Sequence, residues 1–342
     1  MQLIRKKAYA RAGLIGNPSD GYGGKTLALV VRNFAADVVL YEWDRIEVVF
    51  SENDQTRFES VDELVRDVQL HGYYGGIRLV KATIKKFVEY CRRGGHRLHD
   101  RNFSVRYETN IPRCVGMAGS SAIITATLRC LMEFYGIEIP KQVLPSLVLS
   151  VEMNELGIAA GLQDRVVQAY EGLVYMDFAS EKMHKQNGLL CGEYEPLDAN
   201  LLPPLYLAFG LDEGEPTERL HGDLRTRFEQ GDAKVRDAMG RFAELTVEAR
   251  DVLLAGETVT PGVTDRLGPL LDENFDLRRS ICDLPPGQIR MIETARAAGA
   301  SAKFAGSGGA IIGTCEDEAT FERLRTDLGE LGCEVLRPII EP

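Results

Sequence analysis

The chain has 342 residues and a formal net charge of −11, from 51 Asp and Glu against 40 Lys and Arg. That balance argues against non-specific nucleic-acid binding, which needs basic surface, but leaves room for an anion held by local cations or a helix N-terminus. With 44% hydrophobic and 27% charged residues, the composition is that of a globular protein large enough for two domains, and no apolar run reaches the roughly 18–20 residues of a membrane-spanning helix.

Segments 27–31, 35–41 and 46–50 are rich in β-branched and apolar residues and predict strands. Residues 75–92 place Leu79, Thr83, Ile84 and Phe87 on one face of a helix, and 103–108 alternates like a strand. A long apolar helix follows over 120–135 and stops at Gly136. Another spans 142–156, and 172–178 reads as a strand. The polar stretch 180–200 is the expected linker, giving domains 1–185 and 186–342. Beyond it come a strand at 205–209, two or three long helical segments within 217–300, and a glycine-rich turn inside 303–314. A helix at 318–331 and a strand at 334–338 complete the chain. Helices segregated from strands, without regular βαβ alternation, define an α+β fold. The seven cysteines form no Cys-x-x-Cys pair, which argues against disulfides and zinc and for a reducing compartment.

Three glycine-rich segments carry candidate chemistry. The first holds Pro112, then Gly116, Met117, Ala118, Gly119, Ser120, Ser121 and Ala122, and runs straight into a helix. Glycines let the backbone approach a ligand, and the opening amides of a helix lack internal partners and attract phosphate. Ser120 or Ser121 can cap that helix, and a capped helix after a flexible loop is the plain alternative. The second segment, Gly306, Ser307, Gly308 and Gly309, reads by itself as a hairpin turn. In the third, Gly24-Lys25-Thr26 invites a Walker reading. Ser19 stands where that pattern needs its first glycine, and a strand follows instead of a helix, so the reading is rejected.

Glu152 and Glu155 are spaced to share one side of a helix, and Asp164 follows a small apolar turn able to bury it. A buried carboxylate there suits a general base or a metal ligand, and a surface acid on a loop is the plain alternative. His96 and His99 have no further ligand near in sequence and read as loop residues. Tyr73 and Tyr74 read as packing residues, with a nucleotide pocket as the alternative.

Taken together, these segments resemble the GHMP kinases, named for galactokinase, homoserine kinase, mevalonate kinase and phosphomevalonate kinase. Arg11, followed five positions later by Gly16, is similar to the family's first motif, 112–122 to its phosphate loop and 303–309 to its third motif. The phosphate loop is one residue longer than the usual Gly-Leu-Gly-Ser-Ser, and the third motif is one shorter. Asn17-Pro18 stands where an acid–histidine pair is usual. These departures resemble the glucuronokinase branch.

The resemblance implies a two-domain fold, with an N-terminal domain like domain 2 of ribosomal protein S5 and a ferredoxin-like C-terminal domain. It implies ATP over Pro112 and 116–122, and Mg²⁺ on Ser121 and Glu152 with Glu155 as the fallback. Asp164 is then the base beside Arg11, and a sugar faces Asp20, Tyr22, Gly306, Ser307 and Gly308. Lys25, Arg113 and Arg165 are weaker nominees for a substrate carboxylate. The expected activity is a cytoplasmic, ATP-dependent phosphorylation of D-glucuronate at its anomeric hydroxyl. Galactose, a heptose phosphate or a mevalonate-like acid are the alternative acceptors, and a catalytically silent sugar and ATP sensor is the alternative class. Neither a nucleic-acid nor a membrane partner is expected.

Overall fold

The computed structural model describes residues 2–49, 75–210, 218–255 and 261–341; Tyr73, Tyr74 and the end of the strand expected at 46–50 lie outside them. Strands β1 (Leu3–Ile15) and β2 (Lys25–Trp43) pair antiparallel along most of their length. The sequence suggests two strands within β2 because Arg32, Asn33 and Phe34 interrupt its apolar pattern. Those residues form a bulge: Tyr9 pairs with Ala35 and Ala10 with Val31, so the ladder shifts register without ending.

The other edge of β2 takes two partners, both antiparallel. Strand β5 (Leu173–Asp177) pairs with its start and β4 (Asn102–Thr109) with its end. Strand β3 (Glu47–Val48) joins β4 in parallel and β8 (Glu195–Leu197) joins β5, completing a six-stranded sheet. Helix α2 (Gly119–Tyr135) lies on β1 and β2, and α1 (Gly76–Arg93) lies on α2. A helix covered on both sides must be apolar almost all round, and the run from Ser121 to Leu128 is buried without a break. It ends at Gly136 in the left-handed conformation, where the Ile137 amide donates back to the Met132 carbonyl at 2.9 Å. Helix α3 (Leu144–Ser150) continues into a π turn (Val151–Glu155), and α4 (Gln163–Tyr170) leads into β5.

After a separate hairpin of β6 (Met183–Gln186) and β7 (Leu189–Gly192), a second sheet has the antiparallel order β10 (Lys303–Phe304), β11 (Ala310–Thr314), β9 (Leu205–Gly210), β12 (Cys333–Leu336). The expected boundary at 185 falls inside β6, and β8 still belongs to the first sheet, so the changeover between sheets lies between Leu197 and Leu205. The polar character of 180–200 reflects exposed hairpin and edge-strand positions rather than a linker.

Helices α5 (Glu218–Glu229), α6 (Ala233–Ala255), α7 (Pro261–Ile281) and α8 (Pro286–Ala297) fill the region where two or three were expected. Helix α9 (Glu318–Gly329) is capped by Asp317, whose carboxylate accepts from the Thr320 amide at 2.6 Å. Because α6 and α7 pack on β1 as well as on each other, one apolar core runs from Leu29 and Leu131 through Leu245 and Leu267 to Leu207 and Ile312. The chain then returns to the first sheet. The Arg32 amide donates to the Ile339 carbonyl at 2.9 Å, and Asn33 Oδ1 accepts from the Ile339 amide at 2.8 Å. Among the described residues no helix is long and apolar enough to cross a membrane.

Candidate active site

Gly116 sits at φ 71°, where only glycine is unstrained, and a Cβ there would run into Ser307 and Gly308. A Cβ on Gly306 would likewise meet the Gly116 carbonyl. The phosphate-loop candidate and the 306–308 turn therefore touch backbone to backbone. Helix α2 begins at Gly119 behind a left-handed Ala118, and no side chain caps it. The expectation that Ser120 or Ser121 caps it fails because both lie inside the first turn. Ser121 Oγ donates back to the Ala118 carbonyl at 3.2 Å, and Ser120 Oγ donates to Glu152 Oε1 at 2.7 Å. An N-terminus without a side-chain cap is the arrangement that receives phosphate.

Arg11, buried in β1, joins the three motifs. Its Nη2 lies 2.5 Å from Asp164 Oδ2, while Nη1 donates to the Gly116 carbonyl at 3.0 Å and the Ala305 carbonyl at 2.8 Å. Asp164 stands in the first turn of α4. Burial alone would raise its pKa, but the Arg11 and Arg165 charges, with hydrogen bonds from Arg11 and Gln163, outweigh that and hold it below the usual carboxylate range. Asp20 behaves oppositely: burial, then the nearby Asp164 charge, push it up to about 6 against partial relief from Arg11 and Arg165. Its carboxylate rests where a Cβ on Gly161 would collide.

Glu152 is fully buried and accepts from Arg165 Nε at 2.7 Å and from Arg165 Nη2. The structure thus brings Ser120, not Ser121, to Glu152. Consecutive helical residues point about 100° apart, and the register starting at Gly119 turns Ser121 away. Glu155 does not join them. The wider π turn sends it to Lys85 Nζ at 2.5 Å. Ser120 Oγ and Glu152 Oε1 are hard oxygen donors of the kind Mg²⁺ takes together with phosphate oxygens and water. Among the described residues no cluster of three or more His, Cys, Asp or Glu suits a metal by itself.

Three further polar residues tie the 13–17 segment and the 306–308 turn in place, and the sequence reading singled out none of them for this role. Lys303 Nζ donates to the Gly13 carbonyl and Asn17 Oδ1, both at 2.7 Å, and to the Phe304 carbonyl at 2.6 Å. Asn274 Oδ1 accepts from the Gly16 amide at 2.7 Å. Arg278 donates to the Gly306 and Ser307 carbonyls, each at 2.8 Å. Both α7 residues are buried one helical turn apart, on the stripe that carries Leu267 and Leu271. Tyr22, expected to face a sugar, turns its ring onto Phe228 at 4.8 Å, because α5 offers it an apolar cluster. Lys25 pairs with Asp177 at 3.2 Å, Arg113 is exposed, and Arg165 is taken by Glu152. His99 Nε2 lies 2.9 Å from the Phe134 carbonyl and its ring stacks on Tyr135, so it packs against α2 instead of lying free in a loop.

An uncapped helix start, an arginine-bound acid and a glycine turn laid on the phosphate loop form one site at the junction of two sheets. The GHMP kinases N terminal domain family matches residues 78–172. The structure of Streptococcus pneumoniae phosphomevalonate kinase superposes with a TM-score of 0.74 at 15% identity, over 100% of both chains. The chain belongs to the family of GHMP kinases and is a sugar kinase that transfers phosphate to a hydroxyl. Among its members the chain is 42% identical over 320 residues to Glucuronokinase 1 of Arabidopsis thaliana, covering 92% of this chain and 85% of that protein. It is 41% identical over 347 residues to Probable glucuronokinase 2 of the same plant, covering 99% and 91%.

Proposed function

We propose that this enzyme transfers the γ-phosphoryl group of ATP to the anomeric hydroxyl of D-glucuronate, giving the sugar 1-phosphate. The observation that carries the reading is the Arg11–Asp164 pair, 2.5 Å apart and bonded directly to the phosphate loop at Gly116. Asp164, kept ionised by its two arginines, accepts the proton of the attacking hydroxyl. Arg11 offsets the charge that builds on the transferring group. The open amides of Gly119 to Ser121 hold the ATP phosphates, Pro112 and Gly116 to Ala118 shape their approach, and Ala122, whose amide already donates to the Ala118 carbonyl, backs the turn. Ser120 and Glu152 would hold Mg²⁺, which would supply neutralisation of the phosphates' charge. Asp20, whose carboxyl burial pushes up to about 6, is ionised at neutral pH and accepts from a sugar hydroxyl. The two domains of this reading run to about residue 197 and from about residue 205.

Glucuronate as acceptor rests on the similarity to the two Arabidopsis proteins. A coupled ADP assay with glucuronate, glucose, galactose, a heptose phosphate and mevalonate tests it. Glucuronate should show a kcat/KM at least about tenfold above the others, roughly 1.4 kcal/mol of discrimination. A higher value for galactose or the heptose phosphate overturns the acceptor and leaves the kinase intact.

A further inference from the structure

Ala118 is the residue on which the start of α2 turns. It sits at φ 63° and ψ 40°, a left-handed conformation that costs free energy for any residue with a Cβ. Such a residue persists only where its surroundings hold it. Its carbonyl accepts from three donors: Gln168 Nε2 at 2.9 Å, and the Ala122 amide and Ser121 Oγ, each at 3.2 Å. The last two belong to α2 and travel with its first turn. Gln168 comes from α4, so its bond fixes that turn against another part of the molecule.

Gln168 is 1% exposed, and its carboxamide uses only its donors. Besides Ala118, Nε2 donates to the Tyr9 carbonyl at 3.1 Å, on β1 just ahead of Arg11. Its Oε1 is buried and has no hydrogen-bond partner among the described residues. An idle buried acceptor is costly, yet the reversed amide would set that oxygen against two carbonyls. The side chain is therefore held as a two-pronged donor between β1 and the head of α2. Its backbone is pinned as well. The Gln168 carbonyl accepts from Arg129 Nη2 at 2.8 Å, and Arg129 Nη1 donates to the Lys7 carbonyl at 2.7 Å. Gln168 lies one turn beyond Asp164, and residues four apart share a face of a helix. The helix that carries Asp164 thus also grips the phosphate-loop candidate.

We propose that Gln168 is a positioning residue for phosphate binding. By holding Ala118 left-handed, it fixes where α2 begins and hence where the amides of Gly119 to Ser121 point. It acts through Ala118 rather than on the phosphate. The proposal rests on the reading of 116–122 as the seat of the ATP phosphates.

Titration calorimetry of the full chain with Mg-ATP, without acceptor, tests it beside urea unfolding of the same variants. Gln168→Met keeps the length of the side chain and loses both donors, so ATP affinity should fall about tenfold. Adding Ala118→Gly should bring the affinity back to within about threefold of the parent, because glycine takes the left-handed conformation unaided. A residue that only filled space would lose stability without that loss of affinity, and no change at position 118 would repair it. A fall of less than about threefold in Gln168→Met overturns the proposal. So does a loss that Ala118→Gly leaves untouched. If Gln168→Met does not fold, the double variant decides alone: one that stays unfolded, or binds ATP more than about threefold weaker than the parent, overturns it. Gly119→Asp tests the underlying reading. Within 4 Å a Cβ at Gly119 meets only Ile111, at an ordinary 3.5 Å, and an acid at the helix start repels phosphate. Unchanged ATP affinity in Gly119→Asp removes the phosphate-loop reading itself, whatever Gln168→Met does. Affinity lost in Gly119→Asp but kept in Gln168→Met removes only the role of Gln168.

Discussion

Two clusters of buried charge meet at Gly116, and they obey opposite rules. On the α4 side, Arg11 and Arg165 face Asp164 and Glu152, so each cation has an acid. On the α7 side, Lys303 and Arg278 face backbone carbonyls and one amide side chain. A cation that has its acid is committed, and removing either partner strands the other. A cation held by dipoles stays attractive to an anion arriving from outside. The first cluster holds its charges in closed pairs, and the second leaves positive charge that only dipoles balance.

The sharpest way to break the first cluster is Asp164→Asn. Shape is kept while the base and its charge are lost, so kcat should fall by roughly 10²–10⁴-fold with nucleotide affinity little changed. Steady-state kinetics with a separate ATP titration check this, and near-normal turnover would take Asp164 out of the mechanism.

Arg165→Met should cost about 3–5 kcal/mol of stability, because it leaves the fully buried Glu152 without its cation. Urea unfolding measures the loss. Adding Glu152→Gln should recover a large part of it, and a double variant as unstable as the sum of the singles would mean the two are not coupled.

Asp20 gives the smallest effect and the only one with a pH signature. Its carboxyl titrates at about 6 in the fold against an ordinary 3.8, so the folded state holds a proton that the unfolded state releases between those values. The stabilising contribution is full below pH 3.8 and is lost as pH rises through 6. Asp20→Asn should therefore be about 1–2 kcal/mol more stable than the parent at pH 7, discounted for its partial exposure, and no more stable at pH 4. Parallel unfolding curves at both pH values would contradict the shift.

How much of this was legible beforehand follows from what a motif can encode. Arg11, the 116–122 loop and Asp164 lie in short contiguous segments that carry the family resemblance, and the structure brings them together. Ser120 against Ser121 was not legible, because the choice depends on where α2 starts, and that is set by the left-handed Ala118. Glu155 was misplaced because its spacing was read as α-helical where the backbone widens into a π turn. In the second cluster Lys303 opens the third motif, but Arg278 and its neighbour Asn274 lie in no motif. A signal was nonetheless present: Asn274 and Arg278 continue the helical stripe of Leu267 and Leu271, and a polar side chain on an apolar stripe needs a buried partner. At fold level, β1 was hard to see because its buried positions are small, with Ala8, Ala10 and Ala12 giving little strand preference.

The strap that brings residues 337–339 back to the β2 bulge bears on how the chain is made. Asn33 and Ile339 are 306 positions apart, yet the bulge finds its backbone partners there. At a synthesis rate of about 5–20 residues per second, the β2 bulge leaves the ribosome roughly 15–60 s before those partners exist. During that interval the Arg32 amide and the Asn33 side chain have only water to bond. The N-terminal sheet is born with an open seam, and a segment made 306 positions later closes it.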